Sequence, residues 1–316
     1  MNKGDLIEQR LAFGESLVEL AGDYPRLVVF DADICTSTQT KLFRDRFPSR
    51  FYQMGIAEAN MIGVAAGMAT LGFTPFVSAF AVFLAKRALD QIRISVAHTQ
   101  LPVKLNAAYA GLPTGRAGAT HSSVQDMAVM RAMPNMVVID PADPVETKMA
   151  VKLALDTPGP VYLRTVRCNV PVIFDQSHRI ELGKAVTLLE GSDIAIISCG
   201  MMTPKALDAG ERLRKEGIHA RIIHAASIKP IDREAIIKAS RECGHIITLE
   251  NHSKIGGLGG AVAEVITEEA PCFITRLGFP DVFMESGNDE AIFSKLGMNT
   301  ENVVETVKRI LFKHKK

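Results

Sequence analysis

The chain has 316 residues, is 47% hydrophobic and 22% charged, and carries a formal net charge of +1. That is the make-up of a folded protein of about two ordinary domains, with no basic field to draw in nucleic acid or an acidic lipid surface. Its five cysteines (Cys35, Cys168, Cys199, Cys243 and Cys272) are scattered, without the short spacings of a zinc site or a disulfide framework.

In chain order, MNKGDLIEQRLAF opens an amphipathic helix over about 5–22 and lacks the apolar core of a signal peptide, so a reducing cytoplasm is the expected compartment. The β-branched run RLVVFDAD reads as a strand, TQTKLFRDRF as a helix, and FYQMG as a short extended piece. A small-residue helix follows from Glu58, then strand FTPFVSAF and a helical pattern over about 82–98. Residues 61 to 85 carry no formal charge, but Gly72 and Pro75 cut the run, so it reads as buried and not as a membrane span. Strand LPVKLNAAY, the glycine-rich loop GLPTGRAGATH, helix SVQDMAVMRAM, strand MVVIDP, helix 144–155 and strand VYLRTV complete the first half. After the polar stretch CNVPVIFDQSHRIELGK the pattern restarts: strand DIAIISCG, helix 203–216, strand HARIIHAA, helix 232–241, strand HIITLE, a glycine-rich turn, and a last helix after ENVVET. Short apolar strands alternating with helices predict an α/β protein of two domains, each a largely parallel sheet covered by helices.

Several stretches raise chemical questions. Glu58 is the last charge before Lys86, and a carboxylate entering so apolar a region is costly unless paired, solvated or neutralised. A carboxyl desolvated by apolar neighbours tends to keep its proton and can act as a donor; the structural alternative is a helix-terminal residue favoured by the helix dipole. The loop 111–121 ends in Thr120 and His121 beyond a strand, where ligands of α/β sheets bind, or where a capping loop sits. Asp31, Asp33 and Ser37 hold a similar place, to meet a ligand or to cap the next helix. The run GGLGGAVAE (256–264) lacks the dinucleotide spacing and reads as a close-packing device. His224, Glu250 and His252 sit at strand ends and by themselves indicate nothing specific. A GDG followed some tens of residues later by Asn, the signature of a magnesium–diphosphate site, does not occur.

Taken together, FYQMGIAEANM, SAFAVFLAKRALDQIR and THSSVQDMAVMRAMPNMVVIDPAD resemble the C-terminal half of transketolase, and most closely the separately encoded C-terminal subunit of split transketolases. The resemblance spans essentially the whole chain. It implies a pyrimidine-binding domain over 1–171, a linker over 172–189 and a transketolase C-terminal domain over 190–316. It implies thiamine diphosphate as cofactor, with Mg2+ (or Ca2+ or Mn2+) held mainly by an N-terminal partner subunit in an α2β2 assembly. Glu58 then bonds the aminopyrimidine ring nitrogen and, with His121, is the catalytic pair. Phe80 and Phe83 stack on that ring, and Asp33, Ile56 and Lys86 complete the cofactor contacts. Arg10, Ser37 and Arg167 fall where the family holds a substrate phosphate, with Tyr109, Arg116 and His121 as further substrate contacts; guanidinium forks suit oxyanions.

The departures are informative. Arg116-Ala117-Gly118 replaces the family's Glu-Asp-Gly, Tyr109 stands where a His is usual, and Ser122 where a Gln is common. An anion grip with altered sugar contacts implies two-carbon ketol transfer between sugar phosphates or related anionic sugars, such as apulose 4-phosphate or a sulfosugar, over ordinary pentose phosphates. The β subunit of a 2-oxoacid dehydrogenase shares the two domains and the Glu, and is the alternative; a non-catalytic homologue would have no reason to keep Glu58 and the aromatics.

Overall fold

The computed structural model describes residues 1–112 and 114–313, so residue 113 of the glycine-rich loop lies outside the described residues. Among the described residues, fourteen strands occur in chain order: β1 (Leu6–Glu8), β2 (Leu27–Asp31), β3 (Phe51–Gln53), β4 (Thr74–Phe80), β5 (Lys104–Ala108), β6 (Val137–Ile139), β7 (Val161–Thr165), β8 (Asn169–Pro171), β9 (Val186–Leu189), β10 (Ile194–Ser198), β11 (Ala220–His224), β12 (Ser227–Lys229), β13 (His245–Ser253) and β14 (Phe273–Phe279).

The first sheet has seven strands in the order β12-β6-β7-β5-β4-β2-β3. Six of them run parallel and only β12 is antiparallel, against β6. Every residue of β2, β5 and β7 is buried, which is why these strands read as near-continuous apolar runs without alternation: helices cover both faces. The second sheet has the order β14-β13-β10-β11-β9, with β9 antiparallel at one edge. Both sheets are therefore largely parallel and helix-covered, as the alternation predicts. Among the described residues no helix is long and apolar enough to cross a membrane.

Some elements differ from the sequence reading. The opening helix is shorter, Gln9–Leu20, because residues 6–8 extend to pair antiparallel with β8. The helical stretch after β4 is broken into Ala81–Arg87, Leu89–Gln91 and a π-helical turn Ile92–Ala97. Strand β12 crosses from the second half of the chain to extend the first sheet, and β14 and helix Asp289–Lys295 lie in a stretch with no clear period.

What holds the two halves in register is a buried polar network. Arg164 of β7, 1% exposed, donates from Nε to Asp126 Oδ2 at 2.8 Å, from Nη1 to Asp140 Oδ2 at 2.8 Å, and from Nη2 to the Asn251 carbonyl at 3.0 Å. Asn251, on the second sheet's β13, donates to the Ala110 carbonyl and accepts from the Leu112 N–H, so it pins the start of the 111–121 loop. A Cβ at Gly111 (φ +74°) would lie 2.2 Å from Asn251 Nδ2, so only glycine admits this approach.

A second junction joins helix Pro144–Asp156 to β11. Glu146 Oε2 lies 2.7 Å from His224 Nε2, and Oε1 lies 3.0 Å from His178 Nε2. Burial pushes the Glu146 carboxyl up, but His224 and His178 outweigh it and hold it at about 2. The unfolded carboxyl takes up its proton near 4.5. Stability from this group is therefore complete above about pH 4.5 and is lost as the pH falls toward 2, by an amount on the order of 3 kcal/mol. Thermal unfolding of wild type and Glu146→Gln between pH 2 and 6 checks this; the variant should lack that part of the acid slope.

Candidate active site

The central strands β7-β5-β4-β2 are neighbours and parallel, so their carboxyl ends form one edge. Ligands of such sheets bind at that edge, and Arg167, Tyr109, Phe80 and the Asp31–Ser37 loop leave the sheet there.

The loop after β2 is organised by Asp31. Its buried carboxylate accepts from the Ile34 N–H at 2.6 Å and from the Thr38 and Thr40 hydroxyls at 2.9 and 2.8 Å, while burial pushes its proton affinity up. Asp31 thus caps the turn. Asp33, exposed and left-handed (φ 65°), donates its N–H to Gln53 Oε1.

Helix Glu58–Thr70 packs on β4 and begins with Glu58, whose residue is 3% exposed. The carboxylate is not surrounded by apolar groups alone. Arg87 Nη1 lies 3.1 Å from Oε1 and 3.3 Å from Oε2, and the same guanidinium sits 3.8 Å from the Phe83 ring centroid. Arg87 is four residues beyond Phe83, one turn along the same helix face. That spacing is the signal from which Arg87, and not its neighbour Lys86, could have been picked out; Lys86 is exposed, as is Ile56 at 72%.

Phe80 and Phe83 lie 6.0 Å apart, and His121 meets both edge-on, at 5.9 and 5.4 Å. His121 Nδ1 is engaged by the Thr120 hydroxyl at 2.8 Å. Tyr109 stacks on Phe80 at 4.6 Å with an interplanar angle of 25°. Its backbone is left-handed (φ 59°), an unusual conformation for a bulky residue that tertiary packing must hold in place. The Tyr109 hydroxyl accepts from Arg10 Nη1 at 3.0 Å, and the Arg167 guanidinium lies 5.7 Å from its ring. Ser37 contributes its backbone carbonyl, not its hydroxyl, to Arg10. Arg116 is exposed on the turn 115–120, where Gly118 is left-handed (φ +64°) and a Cβ there would clash with Ser286 Oγ.

The structure therefore brings Glu58, Phe80, Phe83, Tyr109, His121, Arg10, Ser37 and Arg167 to one edge, with Arg87 added. Asp33, Ile56, Lys86 and Arg116 form an exposed rim. Away from this edge, the glycines 256–260 make close helix–strand packing: Glu250 accepts from the Leu258 and Gly259 N–H groups at 2.7 and 2.8 Å, and a Cβ at Gly257 would lie 1.9 Å from Glu250 Oε2. That helix N-terminus is already occupied by a carboxylate. Among the described residues no group of three His, Cys, Asp or Glu side chains is placed to hold a metal.

A buried carboxyl joined through Arg87 to the tilted Phe83–Phe80 pair suits a flat nitrogen heterocycle: the rings offer an apolar surface to pack on and the carboxyl a partner for a ring nitrogen. The aminopyrimidine of thiamine diphosphate is such a group.

This is the fold of a two-domain α/β protein with its candidate site at the carboxyl edge of the first sheet. Residues 6–172 match the family described as the transketolase pyrimidine-binding domain, and residues 183–303 match the transketolase C-terminal domain. A solved structure described as a split-gene transketolase, an inactive beta4 tetramer, is 46% identical with a TM-score of 0.91, covering 97% of this chain and 99% of that one. An apulose-4-phosphate transketolase subunit of Phocaeicola vulgatus is 39% identical, over 96% of this chain and 97% of its own length. The 6-deoxy-6-sulfo-D-fructose transketolase subunit of Clostridium sp. is 36% identical, over 95% and 94%. The chain belongs to the transketolase family, as a C-terminal section of the split type, and its relatives are transferases.

Proposed function

We propose that this chain is the C-terminal subunit of a thiamine-diphosphate-dependent transketolase that moves a two-carbon ketol unit from an anionic ketose to an aldose acceptor. The observation that carries this reading is the buried Glu58 carboxyl beside Phe80 and Phe83, on the same sheet edge as Tyr109 and Arg167. The exposed rim at Asp33, Ile56, Lys86 and Arg116 supports completion of the site by an N-terminal partner that brings the diphosphate and Mg2+ ligands, in an α2β2 assembly. A cytoplasmic location agrees with the scattered, unpaired cysteines.

When bound, the cofactor supplies the nucleophilic carbon that carries the two-carbon unit. Glu58 presents its carboxyl to the ring nitrogen, and Phe80 and Phe83 fix the ring's plane. His121, with Nδ1 engaged by Thr120, keeps Nε2 to hold or accept a proton from a sugar hydroxyl. Arg167 supplies positive charge for the sugar's anionic end, with Arg116 on the neighbouring loop, while Arg10, Ser37 and Tyr109 build the wall behind it. Ala117 offers no carboxylate to read a hydroxyl, which supports a substrate other than the ordinary pentose phosphates; two relatives are named for such sugars.

The test is ketol transfer by the chain reconstituted with its N-terminal partner. Removing a guanidinium from a charge-assisted contact costs about 1.5–3 kcal/mol, roughly ten- to a hundred-fold in affinity. Arg167→Ala should therefore raise KM for charged ketoses by that factor and leave KM for hydroxypyruvate nearly unchanged. A parallel rise for both donors would remove Arg167 from the anion site. Efficient use of xylulose 5-phosphate by wild type would refute the altered-sugar claim alone.

A further inference from the structure

The seam between the two sheets holds more buried carboxyls than cations. Arg164 gives its fork to Asp126, from Nε at 2.8 Å and Nη2 at 3.4 Å, and donates from Nη1 to Asp140 at 2.8 Å. Glu250 of β13 is as deeply buried as those two. Among the described residues no guanidinium or ammonium lies within ion-pair distance of it. Its oxygens accept only the Leu258 and Gly259 N–H groups, at 2.7 and 2.8 Å.

The nearest imidazole brings no charge. His252 Nδ1 is 3.7 Å from Glu250 Oε2. Its Nε2 accepts from the Ala128 N–H at 3.3 Å, which leaves the ring proton on Nδ1, 2.8 Å from the Ser253 carbonyl. That is the neutral ring, and burial pushes its pKa down to about 4. The other groups around Glu250 are Cys199 after β10, Asp140 after β6, Asp126, Arg164 and Arg276 of β14. Arg276 packs its stem by Gly259 and turns Nη1 to the Lys254 carbonyl at 2.9 Å. A buried carboxylate without a cation is costly, and two amides at a helix N-terminus offset only part of that. Burial, aided by Asp140, outweighs those amides and Arg164 and pushes the Glu250 carboxyl up to about 7.

Glu250 belongs to a staple of four consecutive residues. Asn251 holds Ala110 and Leu112, His252 holds the Ala128 N–H, and the Ser253 N–H donates to the Val124 carbonyl at 2.9 Å. The turn that caps Glu250 is tied to the same segment, because the Gly256 carbonyl accepts from Arg131 Nη1 at 2.7 Å. Both ends of the loop that carries His121 are therefore fastened to β13 and its helix.

We propose that a proton held on Glu250 keeps this seam shut, and that its loss in mildly alkaline solution loosens the grip of the second domain on the His121 loop. The sign follows from linkage. The closed seam binds the proton near pH 7, whereas a carboxyl released to solvent binds it near 4.5. Closure is favoured below 4.5 and loses ground as the pH rises to 7. Between pH 6 and 8 the ratio of closed to open should fall about tenfold. The device does not depend on which reaction the edge performs.

The experiment is amide hydrogen exchange of the full chain from pH 6 to 8, without cofactor, with rates corrected for the intrinsic effect of pH. In wild type the protection of Leu258, Gly259 and Leu112 should fall about tenfold over that range. Glu250→Gln carries no charge at any of these pH values, and its protection should not change. The variant's melting temperature relative to wild type should rise from pH 6 to 8. Asp140→Asn removes a like charge and should move the wild-type midpoint to lower pH. A wild type without the fall, a Glu250→Gln that keeps it, or a midpoint unmoved in Asp140→Asn would overturn the proposal. So would a Leu112 amide that stays protected while Leu258 and Gly259 do not.

Discussion

Glu58→Gln, assembled with its partner subunit and cofactor, should lose between about 10² and 10⁴ in the rate at which the cofactor's reactive carbon exchanges its proton in deuterated water, while cofactor affinity changes much less. The amide keeps the shape of the carboxyl and still offers a donor, so packing of the ring against Phe80 and Phe83 remains. What it lacks is a proton that can be given and taken back at the ring nitrogen. The geometry separates this from a structural effect. Glu58 is buried at the head of its helix with no side-chain cap to lose, and its ion partner Arg87 has a side chain that is 48% exposed and can be solvated when the charge is removed. The fold should therefore tolerate the change, and melting temperature should fall little. Unaltered exchange would return Glu58 to the role of a helix-terminal residue.

Arg164→Met should produce the largest loss of stability of any single change in the first sheet. The guanidinium binds two buried carboxylates and a carbonyl. Burial pushes the Asp126 carboxyl up, but Arg164 outweighs that and holds it below the usual carboxylate range. At Asp140, which Arg164 also pairs with, burial wins and the carboxyl stays raised. Removing one member of a buried ion network and leaving the others without a partner costs about 3–5 kcal/mol. The loss should be felt at a distance, because Asn251 links Arg164 to Ala110 and Leu112 at the mouth of the 111–121 loop. Denaturant unfolding would show a lower midpoint, and His121 would lose its fixed place. The triple change Arg164→Met, Asp126→Leu and Asp140→Leu should recover much of the stability, since a well-packed apolar replacement leaves no charge uncompensated. Full wild-type stability of Arg164→Met alone would show that the network is not what fixes the two halves.

The sequence exposes those features that depend on local period or on a charge out of place. The all-buried strands β2, β5 and β7 are apolar runs bounded by turn residues, and they read as parallel strands because nothing in them alternates. Glu58 stands out because no other charge lies near it, and Phe80 with Phe83 because they are three apart. The three-residue strands β1, β8 and β12 are not legible because no apolar β-branched run frames them as it does β6, and the residues of β1 read as part of the opening helix. The partners of Arg164 lie 24 to 87 residues away along the chain, and only the fold brings them together. The pairing of Arg10 with Glu8 is different: two residues apart, it becomes informative only because residues 6–8 are extended and not helical.

The most direct test of the central claim, that this chain supplies half of a ketol-transfer site, is a three-way assay with thiamine diphosphate and Mg2+ present. The purified chain, its cognate N-terminal subunit, and an equimolar mixture are each measured for cofactor binding by calorimetry and for ketol transfer from a ketose with an anionic end group. The chain alone should bind the cofactor weakly and turn nothing over, and the mixture should bind it tightly and transfer the two-carbon unit. Full turnover by the purified single chain would contradict the account.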